Sequence, residues 1–318
     1  MKLIIQIPCY NEAATLVTTL DALPKSVPGV DTVEILIIDD GSSDDTVKVA
    51  REWGVHHVVS HLYNRGLAVA FMTGLHACLE LGADIIVNTD ADNQYRASDI
   101  PLLIDPLLRK EADFVVGARP ISEIGHFSPL KKLLQRMGSA SVRWVSGTEV
   151  ADAPSGFRAL SRKAAMQVNV FSRYTYTLET LIQAGTRNIP VVNVPVATNA
   201  DLRPSRLVKS VRSYVARSVS TMGQVFVIYR PFLLFGTIAA ILTGLGLVFG
   251  FRYLYFVAIG EGQGHIQSVI LTAILLLMGF LTFSLAVIAS LISVNRRLLE
   301  DIQLHLREMR FGRDELDG

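Results

Sequence analysis

Two long stretches without a charged residue constrain this chain more than any other feature. From Phe232 to Phe251, and again from Ile266 to Val294, no side chain is charged. A helix needs roughly 20 apolar residues to cross the hydrocarbon core of a bilayer, and both stretches reach that length. A buried helix of a soluble protein rarely runs so far without a charge. The two are therefore expected to form a transmembrane hairpin, and composition agrees. Half of the 318 residues are hydrophobic, mean hydropathy is +0.37, and the excess lies between Pro231 and Val294. The connector from Gly260 to His265 carries no lysine or arginine, whereas Arg296, Arg297, Arg307, Arg310 and Arg313 follow the second stretch. The positive-inside rule then puts both ends of the hairpin, with everything before it, in the cytoplasm. Arg252, at the outer end of the first stretch, can snorkel to the interface.

The segment before the hairpin is basic. Arg203, Arg206, Lys209, Arg212, Arg217 and Arg230 stand against one acid, Asp201, with Leu207, Val208, Val211, Tyr214, Val215 and Val219 between them. A basic helix with an apolar stripe suits a surface of anionic lipid; an ordinary solvated helix face is the alternative. Residues 295–318 place Leu298, Ile302 and Met309 at helical spacing, as a cytoplasmic tail helix that lies on the membrane or packs in an oligomer; a frayed solvated tail is the alternative. The domain plan expected is thus a catalytic domain over residues 1–205, juxtamembrane helices over 206–230, two membrane spans over 231–294 and the tail.

The first two hundred residues alternate short β-branched runs with amphipathic stretches. Leu3–Ile7, Val33–Asp39, His57–Ser60, Ile85–Asn88 and Phe114–Gly117 read as strands. Glu12–Leu23, Asp44–Trp53, Gly66–Leu81 and Ala97–Lys110 read as helices, with Asp44 or Ser43 as the cap of the second. This order predicts an α/β domain with a mostly parallel sheet covered on both faces. Ligands of such sheets bind beyond the carboxyl ends of the strands. The apolar run Leu3–Ile7 is too short for a signal peptide. Cys9 and Cys78 form no metal-type spacing and no disulfide framework. The net charge of +1 gives no ground to expect a nucleic-acid partner.

The turns after the strands hold the candidate chemistry. Asp90-Ala91-Asp92 follows Ile85–Asn88 directly. Two carboxylates at that spacing can share one hard divalent cation, and Gln94 adds a neutral oxygen. A polar strand-end turn without a metal would use the same residues. Pro8-Cys9-Tyr10-Asn11-Glu12 follows the first strand and Asp39-Asp40-Gly41-Ser42 the second. Acceptors such as Asp39 and Asp40 suit the N–H groups of a base or the hydroxyls of a ribose. Neither a G-x-G-x-x-G turn nor a Walker-type lysine loop occurs, so a dinucleotide dehydrogenase or P-loop ATPase is disfavoured.

Read together, "IPCYNEA", "IIDDGSSDDT", "NRGLAVA", "NTDADNQY", "VVGARP" and "DAPSGFRAL" resemble, in order and spacing, the inverting family 2 glycosyltransferases of GT-A fold. The nearest likeness is to the polyprenyl- and dolichyl-phosphate sugar synthases with a C-terminal membrane hairpin. The resemblance implies that Pro8, Tyr10, Glu12, Asp39, Asp40, Arg65, Asp90 and Ala91 line the nucleotide site. It implies that Asp90, Asp92 and Gln94 hold Mg²⁺ or Mn²⁺ against the donor diphosphate. Asp92, Arg119 and Lys131 become the catalytic set, and Arg119, Lys131, Lys132, Ser155, Arg203 and Arg206 the acceptor site. Two departures stand out. The segment at Arg203–Leu207 is one residue shorter than the family's basic motif, and Gln135 stands where the family has a serine.

A phosphate monoester acceptor fits this inventory. Its second pKa is about 6, so it arrives charged and needs no general base. The protein must instead bring two anionic phosphates together, one held through a metal and one by a basic cluster. The implied reaction moves a sugar with inversion from a nucleotide sugar, a UDP-sugar ahead of GDP-mannose, to a polyprenyl phosphate. A homo-oligomer is also expected. One rival is a transferase acting on a polysaccharide or other hydroxyl acceptor. Against it, Arg143-Trp144 lacks the glutamine of a Q-x-x-R-W motif and only two spans follow. The other is a non-catalytic sugar-nucleotide scaffold, which the complete set Asp39, Asp40, Asp90 and Asp92 argues against.

Overall fold

The computed structural model describes residues 1–119, 139–140, 142–170, 176–199, 220, 223–224 and 226–311. Lys131, Lys132, Gln135, Arg203, Arg206 and nearly all of the basic juxtamembrane segment lie outside them. The chain divides into two compact units, Met1–Ser218 with Leu304–Gly318, and Val219–Gln303.

The first unit is built on a seven-stranded sheet. Its strands are β1 (Lys2–Cys9), β2 (Thr32–Asp39), β3 (His57–Ser60), β4 (Ile85–Asn88), β5 (Phe114–Ala118), β6 (Arg158–Ser161) and β7 (Val191–Pro195), in the order β3-β2-β1-β4-β6-β5-β7. β1 lies parallel to β2 and β4, with Ile5 opposite Ile35 and Val87. β6 runs antiparallel between β4 and β5, while β5 and β7 are parallel. β1 is buried at every position after Lys2, as expected of a strand covered on both faces. Within it Gln6 is fully buried and donates to Asn88 Oδ1 at 2.9 Å. A Cβ at position 74 of the covering helix would stand 2.5 Å from Gln6 Oε1, so Gly74 lets that helix sit directly over the buried amide.

The helices in chain order are α1 (Ala13–Ala22), α2 (Thr46–Trp53), α3 (Leu67–Glu80), α4 (Ile100–Leu108), α5 (Arg162–Gln167) and α6 (Thr177–Thr186). Two differ from the sequence expectation. The α2 cap position falls to Asp45, which makes no side-chain cap bond. Asp44 instead accepts the Thr46 N–H at 3.0 Å and the Ala13 N–H at 3.2 Å, joining the starts of α2 and α1. The helix expected over 97–110 is a 3₁₀ turn at Ala97–Asp99 followed by α4. Pro101 opens the α-helical part, where its fixed φ is favoured and its missing N–H is not needed.

The second unit contains α7 (Pro231–Ala258) and α8 (Ile266–Phe311) up to Gln303. Glycines bring these helices together: a Cβ at Gly246 would lie 3.1 Å from Leu276 and one at Gly250 3.2 Å from Thr272. Small residues at a helix contact let backbones approach where no hydrophobic effect drives them together. Only 11% of the apolar window of each helix is buried, which no core helix of a water-soluble protein would tolerate. Both are long and apolar enough to cross a membrane. The tail is not a separate helix, because α8 continues unbroken to Phe311. Its last residues belong to the first unit, where Arg307 Nη1 donates to the Met166 and Val168 carbonyls at the end of α5.

Candidate active site

Three turns meet at the carboxyl edge of β1, β2 and β4. The turn after β4 is fixed from three sides. Thr19 Oγ1 on α1 donates to the Ala91 carbonyl at 2.9 Å, and Asp92 Oδ1 accepts the Gln94 N–H at 3.1 Å. Asn93 takes a left-handed φ of 55°, a conformation asparagine tolerates, and its carbonyl accepts from Asn199 Nδ2 at 2.9 Å. Asp90 stays partly open. Burial pushes its carboxyl up to about 7, Asp92 and Glu12 add to the rise, and Arg119 and Arg158 oppose it.

Asp90 and Asp92 therefore repel one another in a poorly solvated recess. Among the described residues no three His, Cys, Asp or Glu side chains form a closed metal centre. An open pair of hard carboxylate oxygens is the arrangement a Mg²⁺ or Mn²⁺ takes when substrate phosphates and water complete its shell. The residues present fit such an ion, which would also relieve the repulsion that raises Asp90.

The other nucleotide candidates lie at the ends of β1 and β2 and before α3. Pro8 is buried on β1 and Tyr10 is exposed. Asn11, at φ 54°, receives Ser43 N–H on Oδ1 at 2.8 Å and donates its own N–H to Ser42 Oγ at 2.9 Å. These bonds lock the turns after β1 and β2 together. Glu12 is buried and accepts from Thr15 Oγ1. Asp39, also buried, accepts the Ser42 N–H at 3.0 Å.

Asp40 is occupied differently from the sequence expectation. Oδ1 meets His61 Nδ1 at 2.7 Å and the Arg65 N–H at 2.9 Å, and Oδ2 takes the Gly66 N–H at 2.8 Å. It shapes the turn that starts α3, while the Arg65 side chain stays exposed. Gly41 adjoins that turn so closely that a Cβ would meet the Tyr63 carbonyl carbon at 2.5 Å.

The third wall comes from 152–158. A Cβ on Gly156 would stand 3.1 Å from both Asp90 carboxylate oxygens and 2.9 Å from the Tyr176 hydroxyl. Only glycine lets this turn close on Asp90. Its N–H donates to the Tyr95 hydroxyl at 2.9 Å and its carbonyl accepts from Asn88 Nδ2 at 2.8 Å. Ser155, expected to touch an acceptor, is fully buried, and its hydroxyl accepts the Phe157 N–H. It builds the turn. Arg119 is nearly buried and pairs with Asp152, Nε to Oδ2 at 2.7 Å, with its guanidinium 5.8 Å from the Tyr95 ring centroid. Burial disfavours its charge, but Tyr95, Asp152 and Asp90 outweigh this and hold its pKa above the ordinary value.

Sequence reasoning missed Asp152, Arg158, Asn88, Tyr95 and Tyr176. Arg158 is wholly buried, donates to the Ser155 and Ala153 carbonyls and to Thr180 Oγ1, and lies over Phe114 and Tyr176. Burial pulls it down to about 10 despite Tyr176, Tyr95, Asp152 and Asp90 nearby. The available signals were an asparagine ending a buried strand and two opposite charges in the otherwise uncharged run from Ala151 to Leu160.

Comparison with known proteins agrees with the fold of the sheet unit. The model of glycosyl transferase family 2 matches residues 4–168, more than half of the chain. The chain is similar to a UDP-N-acetylglucosamine–dolichyl-phosphate N-acetylglucosaminyltransferase of Methanococcus voltae, 31% identical over 60% of this chain and 83% of the relative. It is similar to an undecaprenyl-phosphate 4-deoxy-4-formamido-L-arabinose transferase of Proteus mirabilis, 27% identical over 81% of this chain and 86% of the relative. Among solved structures it resembles glucosyl-3-phosphoglycerate synthase of Mycobacterium tuberculosis, crystallised with Mn²⁺, UDP and glucosyl-3-phosphoglycerate. That likeness has a TM-score of 0.56 and 25% identity over 71% of this chain and 78% of the other. With six motifs in order, a GT-A-like sheet and a family model over most of its catalytic part, this chain belongs to glycosyl transferase family 2.

Proposed function

We propose that this chain transfers a sugar, with inversion, from a nucleotide sugar to a polyprenyl phosphate at the cytoplasmic face of a membrane. A UDP-sugar is the favoured donor. The observation that carries the reading is that Tyr95 links Asp90 and Arg119: its hydroxyl accepts the Gly156 N–H where that turn closes on Asp90, and its ring centroid lies 5.8 Å from the Arg119 guanidinium. The relatives named above act on dolichyl and undecaprenyl phosphates, and the apolar hairpin gives this chain access to such lipids.

A divalent ion at Asp90 and Asp92 would neutralise the donor diphosphate and stabilise charge as the nucleotide leaves. The chain's own residues do the rest. Glu12 and Asp39 line the nucleoside side, and Asp40 holds the 65–66 turn against it. Gly156 keeps the floor beside Asp90 free of side-chain atoms. Arg119 offers N–H groups to the acceptor phosphate, and Lys131, Lys132, Arg203 and Arg206 are the further cations assigned to it. A phosphate dianion held this way is already nucleophilic, so no side chain need remove a proton. Charge compensation and alignment are the catalytic contributions required.

The test is to incubate membranes containing the protein with a panel of radiolabelled nucleotide sugars and Mg²⁺ or Mn²⁺. Label is expected in the lipid extract, dependent on added polyprenyl phosphate. Label recovered only in polymer or in free sugar would overturn the reading.

A further inference from the structure

Asp152 is fully buried, and its carboxylate turns to Arg119, just past the end of β5. Among the described residues, every hydrogen bond of that carboxylate goes to this one arginine. Oδ2 accepts Arg119 Nε at 2.7 Å and the Arg119 backbone N–H at 3.3 Å, and Oδ1 accepts Nη2 at 3.1 Å. This side-on pairing fixes the guanidinium plane in a way one contact could not. It engages two of the five guanidinium N–H groups and leaves three on the opposite edge, two on Nη1 and one on Nη2.

Asp152 is itself held firmly. Its carbonyl accepts the Ser155 N–H at 3.1 Å, while Arg158 grips the Ala153 and Ser155 carbonyls, each at 2.8 Å. An arginine side chain alone would sample many rotamers, and ordering it at the moment of binding would weaken acceptor capture. A buried ion pair, by contrast, is weak ground for inferring stability, because desolvation offsets most of the attraction. What the pair supplies is orientation.

We propose that Asp152 is a positioning residue that presets Arg119, so that its free N–H edge is ready for the acceptor phosphate when the donor is bound. The proposal rests on Arg119 receiving that phosphate. Asp152 touches no substrate in this account and acts only through Arg119.

The test uses the full-length protein in membranes and compares Arg119→Ala, Asp152→Asn and the double variant. Donor binding is read with UDP and Mn²⁺, and acceptor KM and kcat with polyprenyl phosphate. Asp152→Asn keeps the size and one acceptor oxygen but loses the two-point charged grip. It should raise acceptor KM and lower kcat/KM for the acceptor by about 10- to 100-fold, the scale expected of a misplaced binding group. UDP–Mn²⁺ affinity should change by less than about twofold. The double variant should be no worse than Arg119→Ala alone. Additive losses in the double variant, or parallel loss of donor affinity and acceptor use in Asp152→Asn, would assign Asp152 a structural role and overturn the proposal. If Arg119→Ala leaves acceptor KM unchanged, the acceptor assignment of Arg119 itself fails. If Arg119→Ala behaves as expected while Asp152→Asn is silent, only the positioning proposal fails. Asp152→Glu, which keeps the charge, should recover part of the acceptor affinity that Asp152→Asn loses.

Discussion

The two units solve opposite problems. In the sheet unit polar groups go inside: Gln6, Asn88, Asp152 and Arg158 are fully buried, and each is hydrogen-bonded. In the hairpin unit apolar groups stay outside, with Val248, Phe251, Phe280 and Leu291 all more than 60% exposed. A buried polar group is tolerated only when paired, and an exposed apolar helix only when its solvent is lipid. The difference locates the chemistry in the first unit and the anchorage in the second, and four experiments can break or sharpen it.

The largest effect is expected at the acidic turn. Asp92→Asn should lower kcat by about 10²–10³-fold, as other losses of transition-state charge stabilisation do, without loss of membrane association. Full activity in the variant would remove the metal from the account. A paired substitution then tests the two solvents directly. Leu102 on α4 and Val248 on α7 are similarly exposed, 57% and 63%. Leu102→Lys should change stability by less than about 0.5 kcal/mol. Val248→Lys should disfavour insertion of α7 by about 2.5–3.5 kcal/mol if it sits mid-membrane. Equal, small effects in an insertion assay would make α7 a soluble helix.

Next comes Gly156→Ala, whose added methyl meets the Asp90 oxygens and the Tyr176 hydroxyl. It should weaken Mn²⁺ binding by about tenfold, while melting of the domain shifts by about 1–3 kcal/mol. Unchanged metal affinity would separate this turn from the site.

The smallest effect is the pH dependence. The Asp90 carboxyl titrates near 7 when folded and near 3.9 when unfolded. Between those values the folded state binds the extra proton, so metal-free stability should fall as pH rises from about 4 to 7 and level off above. Since solvent still reaches the group, the loss is on the order of 1–3 kcal/mol. Asp90→Asn should flatten the curve, as seen by chemical denaturation at several pH values. Metal affinity of the unaltered protein should rise over the same window.

Much of this was legible locally. β3 and β4 have the expected limits because each is a short apolar run ended by a polar residue, and the hairpin was plain from absent charge. β6 and β7 were not foreseen. β6 begins with Arg158, whose burial depends on the Thr180 hydroxyl and the Phe114 ring, both far away in sequence. β7 is only half-buried, so its pattern is weak. The acidic turn was readable because its chemistry sits within three residues. The Arg119–Asp152 pair was not, since its partners lie 33 positions apart. Nor could the sequence tell that Asp40 faces the 65–66 turn, because that depends on how two loops meet.

The most direct test asks whether donor metal and acceptor phosphorus occupy one cleft. Mn²⁺-loaded protein, UDP and a short-chain polyprenyl phosphate can be examined by electron–nuclear double resonance at phosphorus. Phosphorus couplings are expected from both the diphosphate and the monoester, with the monoester signal lost in Arg119→Ala. A diphosphate coupling alone, under conditions where the monoester is bound, would contradict it.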